Sequence, residues 1–96
     1  NTHPETSPSH FLTFSLSPNP AAQEAWLDLS ATEGLPCAVY LLDVRGALVQ
    51  QHPVAQTTAA GLFRLDLEGL PTGLYFVQVQ VAGQRAEMLK LVVERL

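Results

Sequence analysis

The segment Leu70-Pro71-Thr72-Gly73-Leu74-Tyr75-Phe76-Val77-Gln78-Val79-Gln80-Val81 constrains the fold more than any other part of this chain. Pro71 fixes its own φ, and Gly73 is free to take the φ > 0 that closes a type II turn or a bulge. Behind the turn runs an apolar stretch whose second half alternates strictly, Val77/Gln78/Val79/Gln80/Val81. A period of two marks a strand with one buried and one wet face. No catalytic residue type lies inside it, so the most legible part of the chain is architectural.

The rest of the chain breaks at a similar rhythm. Phe11–Leu16 is apolar and stops at Ser17-Pro18-Asn19-Pro20. Ala25–Ala31 places Leu27 and Leu29 opposite Trp26, Asp28 and Ser30. Glu33-Gly34 turns the chain into Cys37–Leu42, which ends at Asp43-Val44-Arg45-Gly46 and returns as Ala47–Gln51. After Pro53, Ala55–Ala60 is small and polar and reads as a long loop. Leu62–Leu67 sets Leu65 and Leu67 against Arg64 and Asp66, and the last turn, Ala82-Gly83-Gln84-Arg85, leads into Glu87–Glu94. Strands recurring at roughly 8–12 residues predict an all-β chain, an Ig-like β-sandwich of about seven antiparallel strands. Residues 1–10 (NTHPETSPSH) have linker composition, with Pro4 and Pro8 keeping them extended, and the folded domain is expected over residues 11–96.

Composition excludes several function classes. Apolar residues make up 47% of the 96 and charged ones 15%, which suits a globular chain rather than a disordered one. The net charge is −4, and the five basic residues are scattered, so the clustered cations that hold a phosphate backbone are missing and nucleic acid is not an expected partner. No apolar run approaches the ~20 residues that span a bilayer as a helix. The one cysteine, Cys37, sits in an apolar string and reads as a small core residue, without a partner for a disulfide or a thiolate metal site.

Constellations for chemistry are thin. His3 and His10 lie in the linker, and His52 precedes Pro53; pairing Cys37 with His52 would lack an oxyanion loop. Asp66 and Glu68 share a strand face at i, i+2, the spacing of a solvated outer face as much as of a cation site. Asp43 reads as a turn former bonding its own backbone. Metal-ligand spacings and glycine-rich phosphate loops are absent, so no cofactor is expected and the chain does not read as an enzyme. Trp26, Tyr40 and Tyr75 are the aromatics with polar handles; aligned on one face they would make a sugar-stacking platform, and a carbohydrate-binding or adhesive Ig-like module is the alternative reading.

Taken in order, Pro18-Asn19-Pro20, the strand around Leu27–Leu29, Val39-Tyr40-Leu41-Leu42-Asp43-Val44-Arg45-Gly46, Leu65–Val77 and the basic terminal strand Lys90–Leu96 form an ordered set. This set resembles the C-terminal sorting domain of type IX secretion system (Por secretion system) cargo, over about Phe11 to Leu96. The chain departs from the family pattern at Ser17, where an aromatic is usual, and at Ala47, where a basic residue is usual. The resemblance implies a secretion signal for a cargo domain that precedes it in the same precursor. It implies export through the periplasm to the cell surface or beyond, by way of an outer-membrane translocon and a sortase-like processing protease. Carried over by position, translocon recognition is expected at Gly73, Tyr75, Lys90, Arg95 and Leu96. Cleavage is expected within Pro4-Glu5-Thr6-Ser7-Pro8, with Pro18, Asn19, Pro20, Asp43 and Gly46 as turn motifs. Such a sandwich presents an edge strand and a C-terminus for capture, and β-addition is one mode open to it.

Overall fold

Strand after strand, burial follows the period of two read from the sequence. The computed structural model describes residues 14–53, 55, 57–82 and 86–95. Its strands are β1 (Ser15–Ser17), β2 (Glu24–Asp28), β3 (Cys37–Asp43), β4 (Leu48–His52), β5 (Leu62–Asp66), β6 (Gly73–Val81) and β7 (Glu87–Val93). They form two antiparallel sheets, ordered β1-β2-β5 and β4-β3-β6-β7. The chain is therefore an all-β, Ig-like sandwich of seven strands. Hairpins join β1 to β2, β3 to β4 and β6 to β7 within a sheet, while the remaining connections cross between the sheets.

The core lies between the sheets. Ala25, Leu27, Phe63 and Leu65 face inward from the three-stranded sheet, against Val39, Leu41, Val77, Val79, Leu91 and Val93 from the other. Most of these side chains are wholly inaccessible. At ~1.5–3 kcal/mol for each large apolar side chain removed from water, this layer is the main source of stability.

Three differences from the sequence reading have physical causes. The second strand stops at Asp28, not Ala31, because the Asp28 carboxylate accepts the Ser30 amide at 2.9 Å and starts a 3-10 turn, Ser30–Thr32. This turn is the one helical element among the described residues, and Thr32 Oγ1 donates back to the Leu29 carbonyl to hold it. The turn before β6 takes its positive φ at Gly69 (86°), not at Gly73. Leu70 N–H donates to Leu67 O there, so Gly69 occupies the third turn position, where a type II turn needs glycine. Gly73 is instead the first residue of β6, paired with Val93. The loop after β4 is tied at its far end, where Thr58 exchanges backbone bonds with Leu62 and Gly61. Gly61, at φ 85°, lies so close to Ser30 that an added Cβ would stand 2.9 Å from the Ser30 Cα.

Both long edges of the sandwich are laced across. At one, Gln50 Nε2 donates to the Asp66 carbonyl at 2.6 Å, joining β4 to β5. Its Oε1 then accepts from His52 Nε2 at 3.0 Å, and the His52 ring stands edge-on to Phe63 with centroids 5.0 Å apart. A bulge at Val49 keeps Gln50 opposite Leu41 on the core side while Leu48 pairs with Leu42 on the outer side. The other edge, between β1 and β7, is closed by the segment that follows β1.

Leu65→Asp or Val79→Asp places an unpaired carboxylate in this layer, at a cost of several kcal/mol that a domain of this size does not have to spare. Either variant is expected to lose its cooperative thermal transition; a retained sharp melt would refute the inward orientation of these two positions.

Candidate recognition surface

The short motifs of the sequence converge on one end of the sandwich. Asp43 pairs with Tyr75, Gly73 with Val93, and Glu24 with Asp66, so four features meet there. They are the Asp43–Gly46 hairpin, the Pro71–Gly73 corner, the Pro18–Pro20 segment and the end of β7. Each holds backbone in place.

Pro18-Asn19-Pro20 closes the free edge of β7. Asn19 Nδ2 donates to the Lys90 carbonyl at 2.9 Å, and Asn19 Oδ1 accepts from the Val92 amide at 3.0 Å. A side-chain amide thus takes the place of a neighbouring strand. Ala21 continues the ladder, donating to Val92 O and accepting from Glu94 N–H, each at 2.8 Å. The Ser17–Pro18 and Asn19–Pro20 peptide bonds are both cis. The backbone of Lys90 and Val92 is directed at this bracket, and among the described residues the Met88 end of the β7 edge has no such partner. The C-terminal half of this edge strand thus already has a partner within the domain.

Tyr75 is buried at the start of β6, and its hydroxyl donates to the Pro71 carbonyl at 2.7 Å. A tyrosine near the start of the sixth strand that bonds the preceding corner is a recurrent lock in Ig-like sandwiches. Arg95 reaches back over the same corner. Its Nε donates to Leu70 O at 2.6 Å, its Nη2 to Leu67 O, and its backbone N–H to Thr72 Oγ1 at 3.1 Å. The guanidinium fork matches two carbonyls of one turn, which a lysine ammonium cannot do with the same rigidity.

Asp43 acts as the turn former expected of it. Its Oδ1 accepts the Arg45 and Ala47 amides, each at 2.9 Å, and Gly46 donates to Asp43 O. The Ala47 amide, aided by the Arg45 amide and guanidinium, holds the Asp43 carboxyl below its ordinary value. Asp28 is lowered likewise, by its hydrogen bonds to Ser30. Asp66 Oδ1 accepts from Glu68 N–H at 3.0 Å, so this carboxylate pair also shapes a turn. No group of three metal-ligating side chains occurs among the described residues.

The expected recognition residues therefore occupy different situations. Gly73, Tyr75 and Arg95 sit within the corner that anchors β7. Lys90 is exposed on the outer face of the four-stranded sheet, with no carboxylate in ion-pair reach among the described residues. Leu96 and the expected cleavage region, Pro4 to Pro8, lie outside the described residues. The three aromatics form no platform: Trp26 is on the outer face of one sheet, Tyr40 on that of the other, and Tyr75 is inside. A cavity of about 500 Å³ opens at the opposite end, between residues 29–37 and the loop ending at Gly61. Cys37 lines it, buried, with its thiol donating to Leu35 O, while His52 is bound to Gln50, so they make no catalytic pair. Sequence reasoning missed the Gln50 and Asn19 brackets, because their partners are main-chain atoms that leave no mark in the sequence.

A family model described as a secretion system C-terminal sorting domain matches residues 15–94. No curated protein sequence matches the chain. Among solved structures, the crystal structure of CopC from Methylosinus trichosporium OB3b is similar, with a TM-score of 0.52 and 19% identity. It covers 86% of this chain and 95% of its own, a likeness of fold.

Arg95→Ala leaves the Leu67 and Leu70 carbonyls without their charged donor, and a loss of about 2–3 kcal/mol is expected in urea unfolding, poorly restored by Arg95→Lys. An unchanged midpoint would show that the corner does not need the guanidinium. Because Asp28 and Asp43 are lowered on folding, the stability they lend is complete above the ordinary carboxylate value and is lost as pH falls through their folded values. The urea midpoint should hold steady down to about pH 4 and fall below it. Asp43→Asn, starting lower at neutral pH, should lose less over the same range.

Proposed function

The chain belongs to the family of secretion system C-terminal sorting domains, those of type IX secretion, and we propose that it directs a cargo domain preceding it in the same precursor across the outer membrane. Such a domain acts as a sorting signal for delivery to the cell surface or the extracellular space. The cargo passes through the periplasm, is taken up by the outer-membrane translocon, and is freed of the signal by a sortase-like protease cutting within Pro4–Pro8. No catalytic step belongs to the domain itself, whose family is one of signals and not of enzymes. Among the described residues no helix is long and apolar enough to cross a membrane.

One observation supports this reading above the others: the family match spans both sheets, and the motifs that distinguish it anchor β7 and its flanking corner. A passive signal has to survive as a rigid, recognisable body, and the side-chain locks supply that rigidity. Of the described residues named for recognition, Lys90 is the one with an exposed side chain that has no ion-pair partner among the described residues, so it is assigned the contact with the translocon. Gly73, Tyr75 and Arg95 contribute by holding the strand that carries it.

A precursor lacking residues 14–96 is expected to accumulate in the periplasm, read by fractionation and surface proteolysis. Normal surface delivery of the truncated precursor would reject the sorting role. Cleavage within Pro4–Pro8 is tested separately by the N-terminal sequence of the released fragment.

A further inference from the structure

Alternation fails in two places where the sheet needs only one apolar face. In β3 and at the start of β6, apolar residues occupy outward as well as inward positions. On the outer face of the four-stranded sheet, Leu48, Leu42, Phe76 and Lys90 form one cross-strand row through all four strands. Leu74 and Val92 pair beside it, and Met88 lies on its other flank across Gln78 from Tyr40. Met88 is 54% exposed and Leu48 53%, while Leu74 and Val92 are each more than a third exposed. An antiparallel sheet that met only water on this side would be polar there. The opposite outer face carries charge on both its longer strands: Glu24, Asp28 and Asp66 point outward from it beside Trp26 and Leu62, with Arg64 paired to Glu24.

We propose that this apolar face of the four-stranded sheet is the surface by which the domain docks on the export apparatus, and that its occupant is a protein surface, apolar, with a carboxylate to receive Lys90. The inference rests on the sorting role proposed above and names the face and the chemistry of the partner. Charge complementarity selects the occupant. Lys90 is the one charged side chain among the outward strand positions of this face, and it has no acid in ion-pair reach among the described residues. A second copy of the chain brings no carboxylate among the outward strand positions of the same face, so pairing strand row against strand row would leave both ammonium groups unmatched. An anionic lipid surface fits poorly too: one lysine adds only about 1 kcal/mol of attraction, against a chain of net charge −4. The face also borders the Met88 end of β7, the stretch of that edge which Asn19 and Ala21 do not bond, so the occupant has both side chains and, among the described residues, unbracketed backbone to engage.

The test uses the full precursor in its secreting host. Leu74→Glu combined with Met88→Glu, and separately Lys90→Glu, are expected to cut surface delivery at least tenfold. Lys90→Arg should deliver normally, as should Glu68→Lys on the opposite side. Urea midpoints for the 96-residue chain carrying each change should stay at the wild-type value, which separates docking from folding. Wild-type delivery by the Leu74→Glu/Met88→Glu variant, with deletion of residues 14–96 still blocking export, overturns the docking face and leaves the sorting role standing. Delivery unaffected by that deletion removes the sorting role itself. Two further results also overturn the proposal: a concentration-dependent dimer in sedimentation that Met88→Glu abolishes, which makes the occupant a second copy, or binding to phosphatidylglycerol vesicles that Lys90→Glu abolishes, which makes it a lipid surface.

Discussion

The seventh strand is held from both sides, and the rest of the sandwich depends on that. On one side β6 pairs with it along its whole length. On the other, the Asn19 amide and the Ala21 backbone supply the bonds that a further strand would make. An unpaired edge exposes a row of donors and acceptors ready to pair with another chain. Here half of that row is satisfied from within, by a segment that belongs to the opposite sheet. The bracket does two things at once: it caps an edge and it fixes the distance between the sheets at their β1/β7 side. Gln50 does the same at the β4/β5 side, reaching the Asp66 carbonyl.

The end of the molecule where the motifs gather is a set of three interlocking locks. Tyr75 holds the Pro71 carbonyl, Arg95 holds those of Leu67 and Leu70, and Asp43 holds two amides of the neighbouring hairpin. All are polar side chains turned on main-chain groups that would otherwise be left unsatisfied at a crowded turn. The charged outer face of the three-stranded sheet and the apolar outer face of the other then give the body two unlike sides.

Much of this was legible in the sequence, for a reason that also explains what was not. Strand positions follow from the spacing of apolar residues, and the Val77–Val81 alternation located the core layer of β6 directly. The Asp43 turn was legible because aspartate bonds its own neighbours, a local event. Asn19, Gln50 and Arg95 act on carbonyls and amides far along the chain, and a backbone acceptor carries no residue identity to read. Gly73 was assigned a left-handed turn that belongs to Gly69, since two glycines four residues apart both satisfy the pattern until the Leu67–Leu70 bond selects one. The outward apolar row escaped notice because runs such as Val39-Tyr40-Leu41-Leu42 are read as core on both faces, whereas burial assigns only Val39 and Leu41 to it.

The two Asn19 bonds span 71 and 73 residues of chain. The contacts that complete the sandwich are therefore among the most non-local it has, and their loop-closure entropy must be met before they reward the fold. A chain interrupted anywhere before β7 has nothing for the Pro-Asn-Pro segment to grip, so one edge of each sheet stays raw. Only a polypeptide synthesised through its seventh strand can therefore close this seam, because the atoms that Asn19 and Ala21 bond belong to β7 and the residue after it.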